Sequence, residues 1–187
     1  MKRGIPMAIA GAFLWGALHT ACTPPPDPTR MRSLDSLLTM TDSLQAVVNG
    51  IDVDVYRRMD SVFRAQRDGI EARFNDTLVK GSAMILGNYH RAMNKSLGRV
   101  LKHRPTLQVE LATSRKQLTD LRHDLDRGLL PDGPQHTYLQ QETMILGELA
   151  RNVTALERSA GTASRAWLQR AAVDSLLAIP RDPAGTP

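Results

Sequence analysis

From about residue 30 onward, apolar side chains recur three and four positions apart, the spacing that lines one face of an α-helix. Leu34, Leu37, Leu38, Leu44, Val47 and Val48 form the first stripe, with Thr29 placed to cap its start and Asn49-Gly50 to punctuate its end. Asp52 or Asp54 can cap a second, in which Val55, Met59, Val62, Phe63, Gln66, Ile70, Phe74 and Leu78 share a face. Gly81-Ser82 offers a stop and a fresh cap, yet the stripe resumes almost in phase at Ile85, Tyr89, Met93, Leu97 and Val100. Residues 52–103 therefore read either as one helix kinked near Gly81 or as two. Arg104-Pro105 is expected to end it in both cases, because proline disfavours helical geometry in the residue before it.

Leu107, Leu111, Ser114, Leu118, Leu121 and Leu125 then alternate four and three apart, which is heptad spacing. Gly128 is placed to terminate that helix, Pro131 to prevent its continuation, and Asp132-Gly133-Pro134 to turn the chain. A last helix is expected from about Gln135 to Ala178, carrying Tyr138, Ile145, Leu149, Val153, Leu156, Ala160, Ala163, Trp167 and Ala171, with Gly161 able to bend it. Each stripe needs a partner to cover it. Short connections at 49–51, 103–105 and 129–134 make neighbouring helices antiparallel. The fold class is all-α: an antiparallel helical bundle of four to five helices over residues 31–179, with a tail at 180–187. One rod over 52–103 makes the bundle elongated, coiled-coil-like and locally three helices thick, whereas a break at Gly81 makes it a compact bundle of five. The undisturbed apolar phase across Gly81 favours elongation.

Composition agrees with helix. Aromatic residues are few (three Phe, three Tyr, two Trp), and β-branched residues rarely cluster. The single cysteine excludes an internal disulfide.

The N-terminus has a different pattern. Lys2 and Arg3 precede an uncharged, mostly apolar run from Ile5 to Leu18, followed by Ala21, Cys22 and a segment containing Pro24, Pro25, Pro26 and Pro28. That run is shorter than the roughly 20 apolar residues a membrane-spanning helix needs. The order of parts resembles a bacterial lipoprotein signal peptide over residues 1–22. His19 stands where that family carries an aliphatic residue, while Thr20 and Ala21 suit the small positions. The resemblance implies a signal peptide over 1–21, export, and acyl chains on Cys22 as the mature N-terminus. The protein would then be anchored in a membrane of the cell envelope, the outer membrane by preference, with its domain facing the periplasm or the cell surface. Residues 22–30 would form the lipidated cysteine and a proline-rich spacer of about 3.1 Å per residue. Losing Lys2 and Arg3 lowers the formal net charge from +5 to +3. With no basic block interleaved with aromatics, a nucleic-acid partner is not expected.

Aspartate followed by Ser or Thr and then an apolar residue recurs at Asp35-Ser36-Leu37, Asp42-Ser43-Leu44, Asp60-Ser61-Val62, Asp76-Thr77-Leu78 and Asp174-Ser175-Leu176. The triplet resembles the O-glycosylation sequon of exported proteins in one phylum of Gram-negative bacteria. That resemblance implies Ser36, Ser43, Ser61, Thr77 and Ser175 as acceptors. Polar-polar-apolar patterning on an amphipathic helix produces the same triplet. His90 and Met93 lie one turn apart and could offer two soft ligands, but no Glu-x-x-His, His-Glu-x-x-His or Cys-x-x-Cys-His occurs. No Gly-x-Ser-x-Gly or phosphate-loop spacing is present either. Glu142 could point inward. Arg57, Arg58, Arg64, Arg67 and Arg73 are interleaved with Asp54, Asp60, Asp68 and Glu71, which suggests mutual pairing. These features favour an interaction or structural module of the envelope with a protein partner, no catalytic residues, no cofactor and no metal. The alternative is a periplasmic sensory bundle holding a ligand or metal, which requires Tyr89, His90 and Met93 to converge on one cavity.

Overall fold

In a computed structural model of the chain, residues 27–76 and 78–180 are described. The signal-like segment, Cys22, most of the spacer, Thr77 and residues 181–187 lie outside them. The described residues form five helices and no strand: α1 (Pro28–Gly50), α2 (Val53–Arg73), α3 (Lys80–Asp126), α4 (Asp132–Trp167) and α5 (Arg170–Ala178). They build three rods. α3 alone is the central one, about 70 Å long at 1.5 Å per residue. α1 and α2 follow one another along its length in the opposite direction. α4 and α5 do the same on the other flank. The result is an antiparallel helical bundle, elongated and three helices thick.

Heptads explain the packing. Leu86, Met93, Val100, Leu107, Ser114 and Leu121 of α3 are seven apart and all buried, as are Leu97, Leu111, Leu118 and Leu125. Leu146, Val153 and Ala160 of α4 repeat in the same way, alongside Leu149, Leu156 and Ala163. On the other flank the repeat is Leu34, Thr41 and Val48 in α1, then Tyr56, Phe63 and Ile70 in α2. The step from Val48 to Tyr56 is eight rather than seven, and the break at Ile51-Asp52 absorbs the extra residue.

A polar ladder fixes the register of α1 against α3. Arg122 Nε donates to Asp35 (2.7 Å), Arg115 Nε to Asp42 (2.6 Å) and Gln108 Nε2 to Asn49 Oδ1 (2.7 Å). Each rung advances seven residues on both helices. The two ion pairs are about half exposed, where solvent screens the attraction. Their role is therefore alignment more than stability.

Four boundaries differ from the sequence expectation. Asp27, not Thr29, caps α1: its Oδ1 accepts from Thr29 N at 2.8 Å, with Pro28 at the first helical position. Residues 52–103 are two helices, divided at residues 74–79 and not at Gly81, which lies inside the first turn of α3. The division occurs where Phe74, Asn75 and Asp76 make tight backbone bonds to Glu71, Ala72 and Arg73, and the chain reverses there. Arg104-Pro105 ends nothing, because α3 runs through it. A proline inside a helix costs about 3 kcal/mol or more. Pro105 is exposed, however, while Leu97, Val100, Leu107 and Leu111 on either side are buried. Each of those contributes about 1.5–3 kcal/mol only if the helix continues. Finally, the last rod breaks at Leu168-Gln169, whereas Gly161 sits in unbroken helix. Gly128 does terminate α3. At φ 62° it is the one described residue in the left-handed region, and Leu129 N–H reaches Asp124 O (2.9 Å) while its own N–H reaches Leu125 O (3.1 Å).

Two polar constructions fasten α5. Tyr89, fully buried in α3, donates from its hydroxyl to Gln66 Oε1 (2.7 Å), and Gln66 Nε2 donates to Asp174 Oδ1 (2.5 Å). Burial, reinforced by the Asp174 charge, pushes the Tyr89 phenol up to about 12, so it serves as a donor throughout the ordinary pH range. Arg73, also buried, donates to the carbonyls of Leu177 and Ile179 and pairs with Asp76. Its charge thus satisfies carbonyls that the end of α5 leaves without helical partners.

Candidate functional site

The residues singled out by sequence do not gather at one place. Ser36 and Ser43 are exposed on α1, Ser61 on α2 and Ser175 on α5. The Ser43 and Ser175 hydroxyls donate to the carbonyls one turn back, Thr39 and Ala171 (2.9 Å each). Thr77 and Cys22 fall outside the described residues. The aspartates of the five triplets all have partners. Asp35 and Asp42 hold the ladder, Asp60 pairs with Arg64 (2.8 Å), Asp76 with Arg73, and Asp174 with Gln66 and Arg170. The recurring aspartate thus has a side-chain partner at every occurrence. The apolar third residue packs inward at Leu37, Leu44, Leu78 and Leu176.

Tyr89, His90 and Met93 go to different neighbourhoods. Tyr89 and Met93 are fully buried in the core. His90 lies off it between Phe63 and Phe74 (ring centroids 5.8 and 5.7 Å), with Nε2 3.3 Å from Glu71 Oε1. Among the described residues, no group of three or more His, Cys, Asp or Glu side chains is gathered to hold a metal ion. Four of the five α2 arginines are paired as their spacing suggests: Arg57 with Asp54 (2.8 Å), Arg64 with Asp60, Arg67 with Asp68 (3.7 Å) and Arg73 with Asp76. Arg58 has no carboxylate partner among the described residues.

Glu142 does face inward. It occupies the core position one heptad before Leu149, its Oε2 is buried without a hydrogen-bond partner, and desolvation raises its pKa. By the helix register, it lies near the level of buried Thr41 and Ser114. Thr41 satisfies its hydroxyl on Leu37 O at 2.8 Å. This polar level separates a small apolar cluster around Leu34, Leu118, Leu121 and Leu125 from the main core.

The feature that sequence reasoning missed is a groove on the outer face between α3 and α4, away from α1 and α2. Its middle section, about 460 Å³, is bordered by Arg99, His103, Thr106 and Glu110 of α3 and by Asn152, Ala155 and Ser159 of α4. Toward the start of α3 it runs on past Lys95, Ser96, Arg158 and Thr162; toward the other end it passes Thr113, Gln117, Ile145 and Glu148. The first end is basic and the second carries the acids. Lys95, Arg99 and Arg158 make no ion pair and no side-chain hydrogen bond among the described residues. A signal for this was present in the chain, since no acidic residue falls between Asp76 and Glu110, a span holding Lys80, Arg91, Lys95, Arg99, Lys102 and Arg104.

No protein-family model matches the chain, and no curated protein or solved structure shows significant similarity to it.

Proposed function

We propose that the protein is an exported, lipid-anchored helical rod that acts as an interaction module of the cell envelope, without catalysis. The reading is carried by the outer α3–α4 groove: its charged side chains, with Lys95, Arg99 and Arg158 unpaired among the described residues, line an extended surface. Such a surface suits contact with an extended partner better than enclosure of a small substrate. The N-terminal pattern supplies the address. Among the described residues no helix is long and apolar enough to cross a membrane. The hold on the bilayer would come from acyl chains on Cys22, as the N-terminal pattern implies, where each buried methylene contributes about 0.8 kcal/mol and more than one chain is needed for stable anchoring. The spacer after Cys22 then holds the rod clear of the surface.

Detergent-phase partitioning tests the anchor. The wild type is expected in the detergent phase and Cys22→Ala in the aqueous phase. Identical partitioning of the two would eliminate the lipid anchor and, with it, this placement.

A further inference from the structure

We infer that the basic end of the α3–α4 groove binds an acidic polysaccharide, a linear chain bearing carboxylates or sulfates. The inference rests on the reading of the rod as an interaction module and names the chemistry of what it engages.

The argument starts from how this chain treats its cations elsewhere. On α1, α2 and α5, Arg30 reaches Asp132, Arg57 reaches Asp54, Arg64 reaches Asp60 and Arg170 reaches Asp174, while Arg32 and Arg58 reach no carboxylate among the described residues. Lys95 and Arg99, like Arg58, Arg91 and Lys102, have no carboxylate partner there, and what sets them apart is their convergence with a third cation on one groove. Lys95 and Arg99 lie one turn apart on α3, a spacing at which like charges destabilise a helix, and Arg158 faces the same groove from α4. No acidic side chain borders that end of the groove. A local arrangement that opposes stability with no compensating contact inside the molecule points to a compensating charge outside it.

The lining then discriminates among anions. Beside the three cations stand Ser96, Ser159 and Thr162, with Thr106 and Asn152 further along. The hydroxyls of Ser159, Thr162 and Thr106 donate to the carbonyls of Ala155, Arg158 and Lys102. That leaves the oxygens of Thr162 and Thr106 as acceptors, and the Asn152 amide as donor and acceptor, for sugar hydroxyls. No Phe, Tyr or Trp side chain borders the groove, so the broad stacking platforms of single-stranded nucleic-acid binding are missing from its lining. No large apolar side chain lines the basic end, so the dry apolar centre of a protein interface is missing there as well. The surface is concave and runs along the rod, which suits a strand lying in it better than a planar bilayer. Lys95 and Arg99 succeed one another about 6 Å apart along α3, at about 1.5 Å per residue, offering two cations in series to a repeating anion.

Binding of the full-length chain, purified in non-ionic detergent, to fluorescein-labelled polygalacturonate tests this by anisotropy. A labelled oligodeoxynucleotide and anionic phospholipid vesicles serve as competitors. The wild type is expected to bind the polymer, with affinity falling as salt rises. The triple variant Lys95→Glu/Arg99→Glu/Arg158→Glu should lose about tenfold or more. Arg57→Ala/Arg64→Ala/Arg67→Ala, which removes the same number of cations from α2, should bind like wild type. Unchanged helical circular dichroism in both variants keeps the comparison one of charge. The inference is overturned if wild type does not bind the polymer, if the α2 variant weakens binding equally, or if oligonucleotide or vesicles displace the polymer at comparable concentrations. Any of these with Cys22-dependent partitioning retained removes the polysaccharide and leaves the anchored module.

Discussion

Glu142 and Arg104 occupy positions that the heptad repeat reserves for apolar side chains, and each carries a buried atom without a hydrogen-bond partner, Oε2 and Nε respectively. Arg104 recovers part of the loss through Nη1, which donates to Gln108 Oε1 at 2.9 Å. Glu142 has no such relief. Because desolvation raises its folded pKa above the unfolded value, the folded state binds the proton more tightly. Its contribution to stability is therefore greatest below the unfolded carboxylate pKa and is lost as pH rises through the raised folded value. Glu142→Leu should raise the unfolding free energy at pH 7 by about 1 kcal/mol, since the site is only partly buried. It should also flatten the pH dependence between the carboxylate range and neutrality. Urea melts of both proteins across that range decide it, and a variant less stable than wild type at pH 7 would show that the carboxylate has a partner. Glu142 was suspected from its place one turn ahead of Ile145 and Leu146. Its isolation depends on α1 and α3 neighbours that no local pattern reveals.

At the level of elements, the heptads were plainly legible and the breaks were not. The stripe from Leu107 to Leu125 and the stop at Gly128 follow from local chemistry, so spacing and a left-handed glycine sufficed to place them. Pro105 was misread because its local cost is certain, while the compensating burial of Val100 and Leu107 comes from α1, α2 and α4. The reversal at 74–79 was hidden for the opposite reason. α2 and α3 both carry a seven-residue repeat, so the stripe appears to cross the turn undisturbed. What closes that turn is Arg73 reaching Ile179, more than a hundred residues away in sequence. α3 also contains Gly98, exposed, with nothing within 4 Å of where a Cβ would stand. Gly98→Ala should therefore stabilise the protein by about 0.5–1 kcal/mol, through helix propensity alone. Thermal melts of the two proteins measure this; a lower midpoint for the variant would mean that the face at Gly98 is in contact with something.

Over the whole molecule, the weak points are staggered so that no cross-section loses all its continuous helices. Extending the α1–α3 ladder places the Ile51-Asp52 break level with Pro105, and α4 runs unbroken past both. The break at Leu168-Gln169 lies between the Tyr56–Ser164 and Gln66–Asp174 contacts, where α2 and α3 are continuous. This gives a rod that keeps its length although two of its three strands are segmented. The apolar side chains that fix this shape announced themselves in the sequence. The groove did not, because its charged lining residues are ones the stripes leave over, and only the pairing of α3 with α4 brings them together. A photo-crosslinking residue introduced at Thr106, in that groove, and separately at exposed Ala46 on α1, tests most directly whether this surface is where the anchored rod engages the envelope. In intact cells the Thr106 variant should give a membrane-fraction adduct that the Ala46 variant lacks. Equal adducts from both positions, or none from Thr106, would contradict the assignment.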